Sequence, residues 1–284
     1  MQTDHNSPYL CTMTNSEFNK LSSFILNNYG IKLPIAKKTM LEGRLQKRLR
    51  ALNSHSFKDY CEYVFSKEGK QMEVPHMIDV VTTNKTDFFR EAVHFDFLAD
   101  TILPKYLKDN SSSKPFKVWS AGCSTGEEPY TLAMVLNEFS EKFSNFDYNI
   151  FATDISGKAL NAAITAVYSQ EKVSPVPYTF KKKYLLKSKD EQKKTVRIIP
   201  ALRAKVNFDR FNFLDGQVNY AQNFNVIFCR NVLIYFDRPT QEKVILNLCS
   251  KLEPGGYLFL GHSESISNMN LPLVQIHPTT FKKI

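Results

Sequence analysis

The sequence lacks the features that mark several protein classes. It has five cysteines in 284 residues, and no two of them have C-x-x-C spacing, so neither a zinc site nor a disulfide framework is predicted. No apolar run approaches the roughly 20 residues that a membrane span needs. The N-terminus MQTDHNSPYL has neither the basic nor the apolar region of a signal peptide. These absences predict a reduced, soluble, cytoplasmic protein.

Negatively charged residues are fewer than positively charged ones. The chain has 28 acidic residues against 37 lysines and arginines, which gives a net charge of +9. Apolar residues make up 43% of the chain and include 22 Phe, so a folded core is expected rather than disorder. The excess positive charge favours an acidic partner, which could be a nucleic acid, an anionic membrane or an acidic protein.

Residues 1–81 show helical patterns and no strand alternation. Thr14 followed by Glu17 predicts a capping box at the start of the first helix, and Gly30 predicts its end. We therefore expect an N-terminal domain that is entirely helical.

Strand and helix patterns alternate from Lys117 onwards. This order is typical of an α/β fold with a doubly wound, mostly parallel, Rossmann-like sheet, which we place at 117–284. Residues 82–116 are expected to form a linker and a first helix. A highly charged stretch, about 173–203, does not fit the pattern, and it predicts a small inserted antiparallel β-subdomain.

A glycine turn follows the first predicted strand in KVWSAGCSTGEEPY, residues 117–130. Ligands of doubly wound sheets bind at the carboxyl ends of the strands, where Gly122 and Gly126 would allow a close approach of the backbone. Asp154 ends the second predicted strand, and a carboxylate there suits the two hydroxyls of a ribose. Alternatively, the glycines only form a turn and Asp154 only caps a helix.

Glu127 and Glu128 come directly after this turn and indicate which kind of nucleotide-like ligand could bind there. The G-x-G-x-x-G spacing of dinucleotide sites is missing, which argues against a dehydrogenase, and two carboxylates would repel a pyrophosphate. S-adenosylmethionine carries a sulfonium and an ammonium group and no phosphate, so the acidic turn favours it. The alternative is that both acids only stabilise the positive end of a helix dipole.

Five segments resemble motifs of the chemotaxis receptor methyltransferases, the CheR family. They are TTNKTDFFRE (82–91), VWSAGCSTGEEPY (118–130), ATDIS (152–156), IFCRNVLIYFD (227–237) and GGYLFLGHSES (255–265). The resemblance implies a methyltransferase that uses S-adenosylmethionine, leaves S-adenosylhomocysteine, and methyl-esterifies glutamates on the cytoplasmic helices of chemoreceptors.

Site residues follow from matching these motifs, and the segment RFNFLD (210–215), position by position. In that segment the resemblance implies that Asn212 and Phe213 flank the adenine. The expected cofactor-binding residues, which include Gly122 of the turn, are Asn84, Thr86, Arg90, Gly122, Glu128, Asp154, Asn212, Phe213, Arg230 and Asn231. Arg90 and Tyr235 are the expected catalytic residues, with Arg90 orienting the substrate carboxylate. Because that carboxylate is already ionised at neutral pH, the reaction needs neither a base nor a metal, and His94 and His262 are expected to be structural.

A basic helix is predicted between residues 31 and 51. At 100° per residue, Lys37, Arg44, Lys47 and Arg48 form a stripe beside a leucine face. We expect this stripe to face solvent and to dock an acidic receptor helix, as the resembling family is thought to do. The alternative is an ordinary solvated helix face. The expected partners are the cytoplasmic domains of chemoreceptors. The protein itself is expected to be a monomer that is recruited to membrane receptor arrays without inserting into the membrane.

Two other functions compete with this interpretation. An RNA or DNA methyltransferase would share the fold and explain the charge, but the loop RNVLIYF lacks the Asn/Asp-Pro-Pro-aromatic motif, so no nucleic-acid partner is predicted. A non-catalytic adaptor that binds S-adenosylmethionine would not need Arg90 and Tyr235. The stretch KSKDEQKKTV lacks the glycines expected for receptor-peptide tethering, so tethering is not predicted.

Overall fold

The structure is a computed structural model that describes residues 10–109, 114–216 and 223–284. The chain divides between Thr83 and Asn84 into two units. Within the described residues, no helix is both long and apolar enough to cross a membrane.

The first unit is helical throughout its described part. Its helices are α1 (Asn15–Tyr29), α2 (Lys38–Ala51), α3 (Phe57–Phe65), α4 (Lys67–Met72) and α5 (Val74–Val81), with a 3-10 turn at Ile35–Lys37. The capping box of α1 is confirmed, because Thr14 Oγ1 accepts from Glu17 N and Glu17 Oε2 accepts from Thr14 N. Gly30 ends α1 in the left-handed conformation, as expected.

One face of α2 is apolar, and its leucines Leu41, Leu45 and Leu49 are buried. Arg48, on the predicted basic stripe, is not a free solvent-facing charge. Its guanidinium makes two hydrogen bonds to Glu73, at 2.9 Å and 2.6 Å. Glu73 is 1% exposed, so it needs a cation nearby.

Arg44 also departs from the predicted stripe. Its Nη1 donates to the carbonyl oxygen of Val81, the last residue of α5, and its Nη2 donates to Thr83 Oγ1 at 3.0 Å. Carbonyl groups in the last turn of a helix lack partners within the helix, and Arg44 supplies one. The expectation of a solvent-facing stripe was therefore wrong for Arg44 and Arg48, whereas Lys37 and Lys47 are exposed.

The second unit alternates strands and helices. Its helices are α6 (Val93–Phe97), α7 (Leu103–Asp109), α8 (Glu127–Lys142), α9 (Gly157–Thr165), α10 (Tyr178–Tyr184), α11 (Pro200–Arg203) and α12 (Arg238–Ser250). Its strands are β1 (Phe116–Ala121), β2 (Tyr148–Asp154), β3 (Val167–Ser169), β4 (Leu185–Lys187), β5 (Thr195–Ile198), β6 (Val206–Arg210), β7 (Phe224–Cys229), β8 (Leu252–Leu260), β9 (Leu273–His277) and β10 (Thr280–Lys283). A π-helical turn covers Leu98–Ile102, and 3-10 turns cover Glu191–Lys193 and Leu233–Tyr235.

Seven strands form the main sheet in the order β6-β2-β1-β7-β8-β10-β9. Strands β6, β2, β1, β7 and β8 are parallel, and β10 is antiparallel to both of its neighbours. The predicted doubly wound, mostly parallel sheet is confirmed. The chain reverses its winding direction beside β1, which places a crevice at the carboxyl ends of β1 and β7.

Strand β1 shows why this sheet is buried on both faces. Phe116 and Val118 belong to one hydrophobic cluster, whereas Trp119 and Ala121 belong to the other. Successive side chains of a strand point to opposite faces, so a run that is apolar throughout serves two cores.

A second, antiparallel sheet of three strands has the order β3-β5-β4. The predicted inserted β-subdomain is therefore confirmed, but its sheet begins at Val167 rather than at 173. The cause is Ala166, which adopts a left-handed conformation with φ of 56°, ends α9 and turns the chain into β3.

Candidate functional site

The glycine turn after β1 is shaped by its own packing. Gly122 has φ of 85°, and a Cβ added there would lie 2.5 Å from Val232 Cγ2. Gly126 has φ of 98°, and its Cβ would lie 2.7 Å from Tyr168 Oη and 2.8 Å from Ala163 Cβ. Both the positive φ values and the short approaches exclude a larger side chain.

Asp154 lies at the carboxyl end of β2 and joins that end to the glycine turn. Its Oδ2 accepts from Ser124 N at 2.8 Å, and its Oδ1 accepts from Ser156 N at 2.9 Å. Asp154 is 7% exposed. Its carboxylate therefore holds two loops together at the position where nucleotide-binding sheets present an acid to a ribose.

Glu128, in the first turn of α8, is paired with a cation. Its Oε2 accepts from Arg230 Nε at 2.7 Å, and its Oε1 accepts from Ser120 Oγ at 2.7 Å. Arg230 follows β7 directly, so the pair joins neighbouring elements of the sheet. Glu128 is therefore not the unbalanced negative charge that was expected from the sequence, and that expectation was wrong.

Glu127 is also paired. Its Oε2 accepts from Thr125 Oγ1 at 2.6 Å, and its Oε1 lies 3.5 Å from Lys172 Nζ. Burial raises the pKa of Glu127 above its ordinary value, and the Thr125 hydroxyl and Lys172 partly offset this rise. Both acids are therefore paired with cations, and neither is the free carboxylate that was expected to repel a phosphate.

Arg230 connects the sheet to the segment that carries Arg90. Its side chain is 3% exposed, and its Nη1 donates to the backbone oxygen of Arg90 at 2.7 Å. The same nitrogen lies 3.2 Å from His94 Nδ1 and 3.6 Å from Glu91 Oε2. We expected Arg230 to bind the cofactor, and the contacts described for its side chain are with the chain itself.

His94 is fully buried and structural. Its Nε2 lies 2.9 Å from Thr279 Oγ1, and its Nδ1 faces Arg230. Burial and the neighbouring guanidinium lower the pKa of His94 from 6.5 to about 4. The ring is therefore neutral at pH 7, with Nδ1 accepting from Arg230 and Nε2–H donating to Thr279.

Glu91, His94 and His262 bring one potential ligand atom each within 4.8 Å of one another. The fixed positive charge of Arg230, 3.6 Å from Glu91 Oε2, opposes a cation at this position. His94 has both ring nitrogens engaged, and His262 is half exposed.

The segment 84–91 carries Arg90 on a strained turn. Phe89 and Glu91, which flank Arg90, have φ of 55° and 56°. Such conformations cost about 1–3 kcal/mol each and cluster at functional sites. Two hydrogen bonds attach the segment to the glycine turn and to α8. Asn84 O accepts from Ser124 Oγ at 3.0 Å, and Phe89 N donates to Thr131 Oγ1 at 3.2 Å.

The expected adenine-binding residues follow β6. Asn212 Oδ1 accepts from Leu214 N at 3.2 Å, which fixes the turn. Phe213 is half-buried, with its ring edge-on to Phe211 and Phe236 at centroid distances of 5.3 Å and 6.1 Å.

The loop after β7 is built on Glu264, which the sequence analysis did not single out. Glu264 is 6% exposed and accepts three backbone N–H bonds, from Asn231, Leu233 and Gly261, at 2.7–2.9 Å. Burial raises its pKa, and these bonds partly offset the rise. These hydrogen bonds hold Asn231 at φ of 60°. Half-buried Tyr235 follows in the same loop.

The residues expected from the sequence lie at one edge of the sheet. Strands β6, β2, β1 and β7 are adjacent and parallel, so Asn212, Asp154, Gly122 and Asn231, which end or follow them, lie in one row. Thr86 and Arg90 belong to the segment tied to this row. Lys172 and Glu264 support it and were missed. Glu264 could have been found as the acid in GHSES, but nothing marked Lys172.

Two family profiles cover the chain. "CheR methyltransferase, all-alpha domain" matches residues 16–82, and "CheR methyltransferase, SAM binding domain" matches residues 84–281. A chemotaxis protein methyltransferase of Borreliella burgdorferi is 38% identical over 287 residues, covering 100% of both chains.

Two other organisms have similar proteins. The chemotaxis protein methyltransferase of Klebsiella aerogenes is 36% identical and covers 91% of this chain and 86% of its own. That of Escherichia coli is 34% identical and covers 90% and 87%. Since both profiles match in order and the relatives align over nearly the full length, the chain belongs to the CheR family of S-adenosylmethionine-dependent methyltransferases.

Proposed function

We propose that this methyltransferase esterifies glutamate side chains on the cytoplasmic helices of chemoreceptors. The observation that carries the proposal is the fixed position of the Arg90 turn, whose backbone oxygen is bonded to Arg230 at the carboxyl edge of the sheet. Relatives named chemotaxis protein methyltransferases support it. The enzyme acts in the cytoplasm as a monomer and reaches its substrates at membrane receptor arrays.

The residues at this edge fit S-adenosylmethionine. The Asp154 carboxylate would accept hydrogen bonds from the ribose hydroxyls. The half-buried ring of Phe213, beside Asn212, would pack against the adenine. Gly122 lets the backbone approach the ligand, because its lack of a Cβ keeps the turn tight. When bound, S-adenosylmethionine supplies a methyl group on a sulfonium that is already activated for transfer.

Polar groups around the methionine end complete the cofactor site. Asn84 and Thr86 come from the segment before Arg90, and Glu128 and Asn231 come from the ends of neighbouring elements. Glu128, whose carboxylate is fixed by Arg230, would hold the ammonium group of the cofactor.

Arg90 and the phenol of Tyr235 act on the substrate. A glutamate carboxylate with a pKa near 4.3 is ionised at neutral pH, so no residue has to remove a proton. The Arg90 guanidinium binds and aims this carboxylate with paired hydrogen bonds. With the methyl donor bound, the carboxylate oxygen would form a bond to the methyl carbon as the carbon–sulfur bond breaks and S-adenosylhomocysteine leaves. The residues of this chain would contribute alignment and fixed charges.

The exposed lysines Lys37 and Lys47 dock the acidic receptor helix. This surface is smaller than the four-residue stripe, because Arg44 and Arg48 are bonded within their own unit. Exposed charges of this kind speed encounter and lose their effect as salt is added.

The decisive experiment is to incubate the protein with methyl-labelled S-adenosylmethionine and membranes that contain chemoreceptors. Label on a receptor that mild alkali releases is the expected result, because methyl esters hydrolyse in base. Label that survives alkali, or that appears on RNA, would overturn the proposal.

Arg90→Ala separates substrate orientation from cofactor binding. We expect a larger loss in turnover than in cofactor affinity measured by calorimetry. Arg197→Ala is the matched control, since each arginine donates to one backbone oxygen at 3.1 Å, and exposed Arg197 does so to Thr165 at the end of α9. Equal losses of turnover and affinity in Arg90→Ala would make Arg90 a cofactor ligand only.

A further inference from the structure

The turn that carries Arg90 needs contacts that hold it in place. Phe89 and Glu91 both have positive φ, and neither is a glycine. A strained turn of this kind persists only where its surroundings over-determine it. The contacts that fix its two ends are therefore part of how Arg90 is presented.

Two cations bond to backbone oxygens at the two ends of this turn. Lys172 Nζ donates to the backbone oxygen of Thr86 and to Asp87 Oδ1, the latter at 3.0 Å. Arg230 Nη1 donates to the backbone oxygen of Arg90 at 2.7 Å. Because the donors are charged, these bonds are stronger than neutral ones.

Each cation is held in turn by one of two adjacent acids. Glu127 Oε1 lies 3.5 Å from Lys172 Nζ, and Glu128 Oε2 accepts from Arg230 Nε at 2.7 Å. Both acids are buried in the first turn of α8, where a negative charge is favourable. Neighbouring residues of one rigid helix thus set the positions of both cations.

We propose that Glu127–Lys172 and Glu128–Arg230 are two clamps that fix the segment from Thr86 to Arg90, and that Lys172 is a positioning residue for the reaction. This inference rests on the proposed role of Arg90 toward the substrate. It gives the two acids that follow the glycine turn a common purpose, since each places a cation on the turn.

One clamp comes from the inserted subdomain. Lys172 follows β3, whose Tyr168 donates from its hydroxyl to the backbone oxygen of Thr125 at 2.8 Å. The ring of Tyr168 also packs edge-on against Phe88 at 5.0 Å. The first strand of the insertion therefore contacts both the glycine turn and the Arg90 segment, which makes the insertion part of the support of the site.

Hydrogen exchange measured on Lys172→Met tests the clamp without relying on activity. Methionine keeps most of the length of the side chain and removes the charge, so amides of residues 84–91, including the bonded N–H of Phe89, should exchange about tenfold faster or more. Lys172→Arg should restore most of the protection.

Lys205→Met is the matched control. The lysine side chains are 33% and 34% exposed, and each pairs with an aspartate, at 3.0 Å for Lys172 and 2.6 Å for Lys205. The control should leave exchange of 84–91 unchanged. Unchanged exchange in Lys172→Met, or an equal increase in Lys205→Met, would overturn the clamp.

Kinetics and a double variant complete the test. Lys172→Met should lower kcat for receptor methylation more than it weakens cofactor binding, and a loss of kcat no larger than that of Lys205→Met would refute the positioning role. Glu127→Gln combined with Lys172→Met should speed exchange no more than Lys172→Met alone, whereas additive effects would show that the pair does not act together. If the wild type fails to methylate receptors, the proposed function fails, while the exchange result still decides the clamp.

Discussion

Lowering the pH should destabilise the second unit through His94. In the folded chain the imidazole is fully buried against Arg230, with Glu91 and His262 nearby, and its pKa is lowered to about 4. In the unfolded chain the ordinary value of 6.5 applies. Between these values the unfolded state binds more protons, so stability is present above pH 6.5 and is lost as the pH falls toward 4.

The size of the effect follows from the two pKa values. Linkage gives a loss of about 2 kcal/mol between pH 7 and pH 5 for this one group. The physical causes are that burial disfavours the charged imidazolium and that protonation would place a second positive charge 3.2 Å from Arg230 Nη1.

Urea unfolding of the wild type and of His94→Gln at pH 7 and pH 5 measures the loss of stability that comes from protonation of His94. The wild type should lose about 2 kcal/mol more than the variant, because glutamine does not titrate. His76→Gln is the control, since His76 is exposed, and it should follow the wild type. Identical pH dependence in wild type and His94→Gln, or an NMR titration of His94 with a midpoint above 6, would refute the reasoning.

Two other changes test buried carboxylates. Glu264→Gln replaces one of two oxygens that accept backbone N–H bonds and should lower the free energy of unfolding by about 1.5–3 kcal/mol in urea titrations. The same change at half-buried Glu242, which accepts a single long bond of 3.3 Å from Asn270 N, should cost under about 0.5 kcal/mol. A loss as small as that of Glu242→Gln would contradict the role of Glu264. Arg48→Met leaves buried Glu73 without its cation and should cost about 3–5 kcal/mol, and a stable variant would mean that this pair is dispensable.

Local signals were enough to predict many of the elements and the meeting of Asp154 with the glycine turn. The capping box of Thr14 and Glu17 and the stop at Gly30 depend on residues close in sequence, so they could be predicted directly. The same is true of β1, β2 and β7, whose apolar runs indicate burial on two faces. Asp154 could be placed beside the glycine turn because parallel strands end at the same edge of a sheet.

Which charges meet was decided only by the tertiary structure. Glu128 and Arg230 are 102 residues apart, and Arg48 and Glu73 are 25 apart. Periodicity shows which side of a helix a residue occupies, but it does not show which distant side chain folds onto that side. Charges predicted to face solvent or a ligand therefore became internal pairs, because a buried carboxylate is stable only where the fold brings a cation or backbone N–H groups to it.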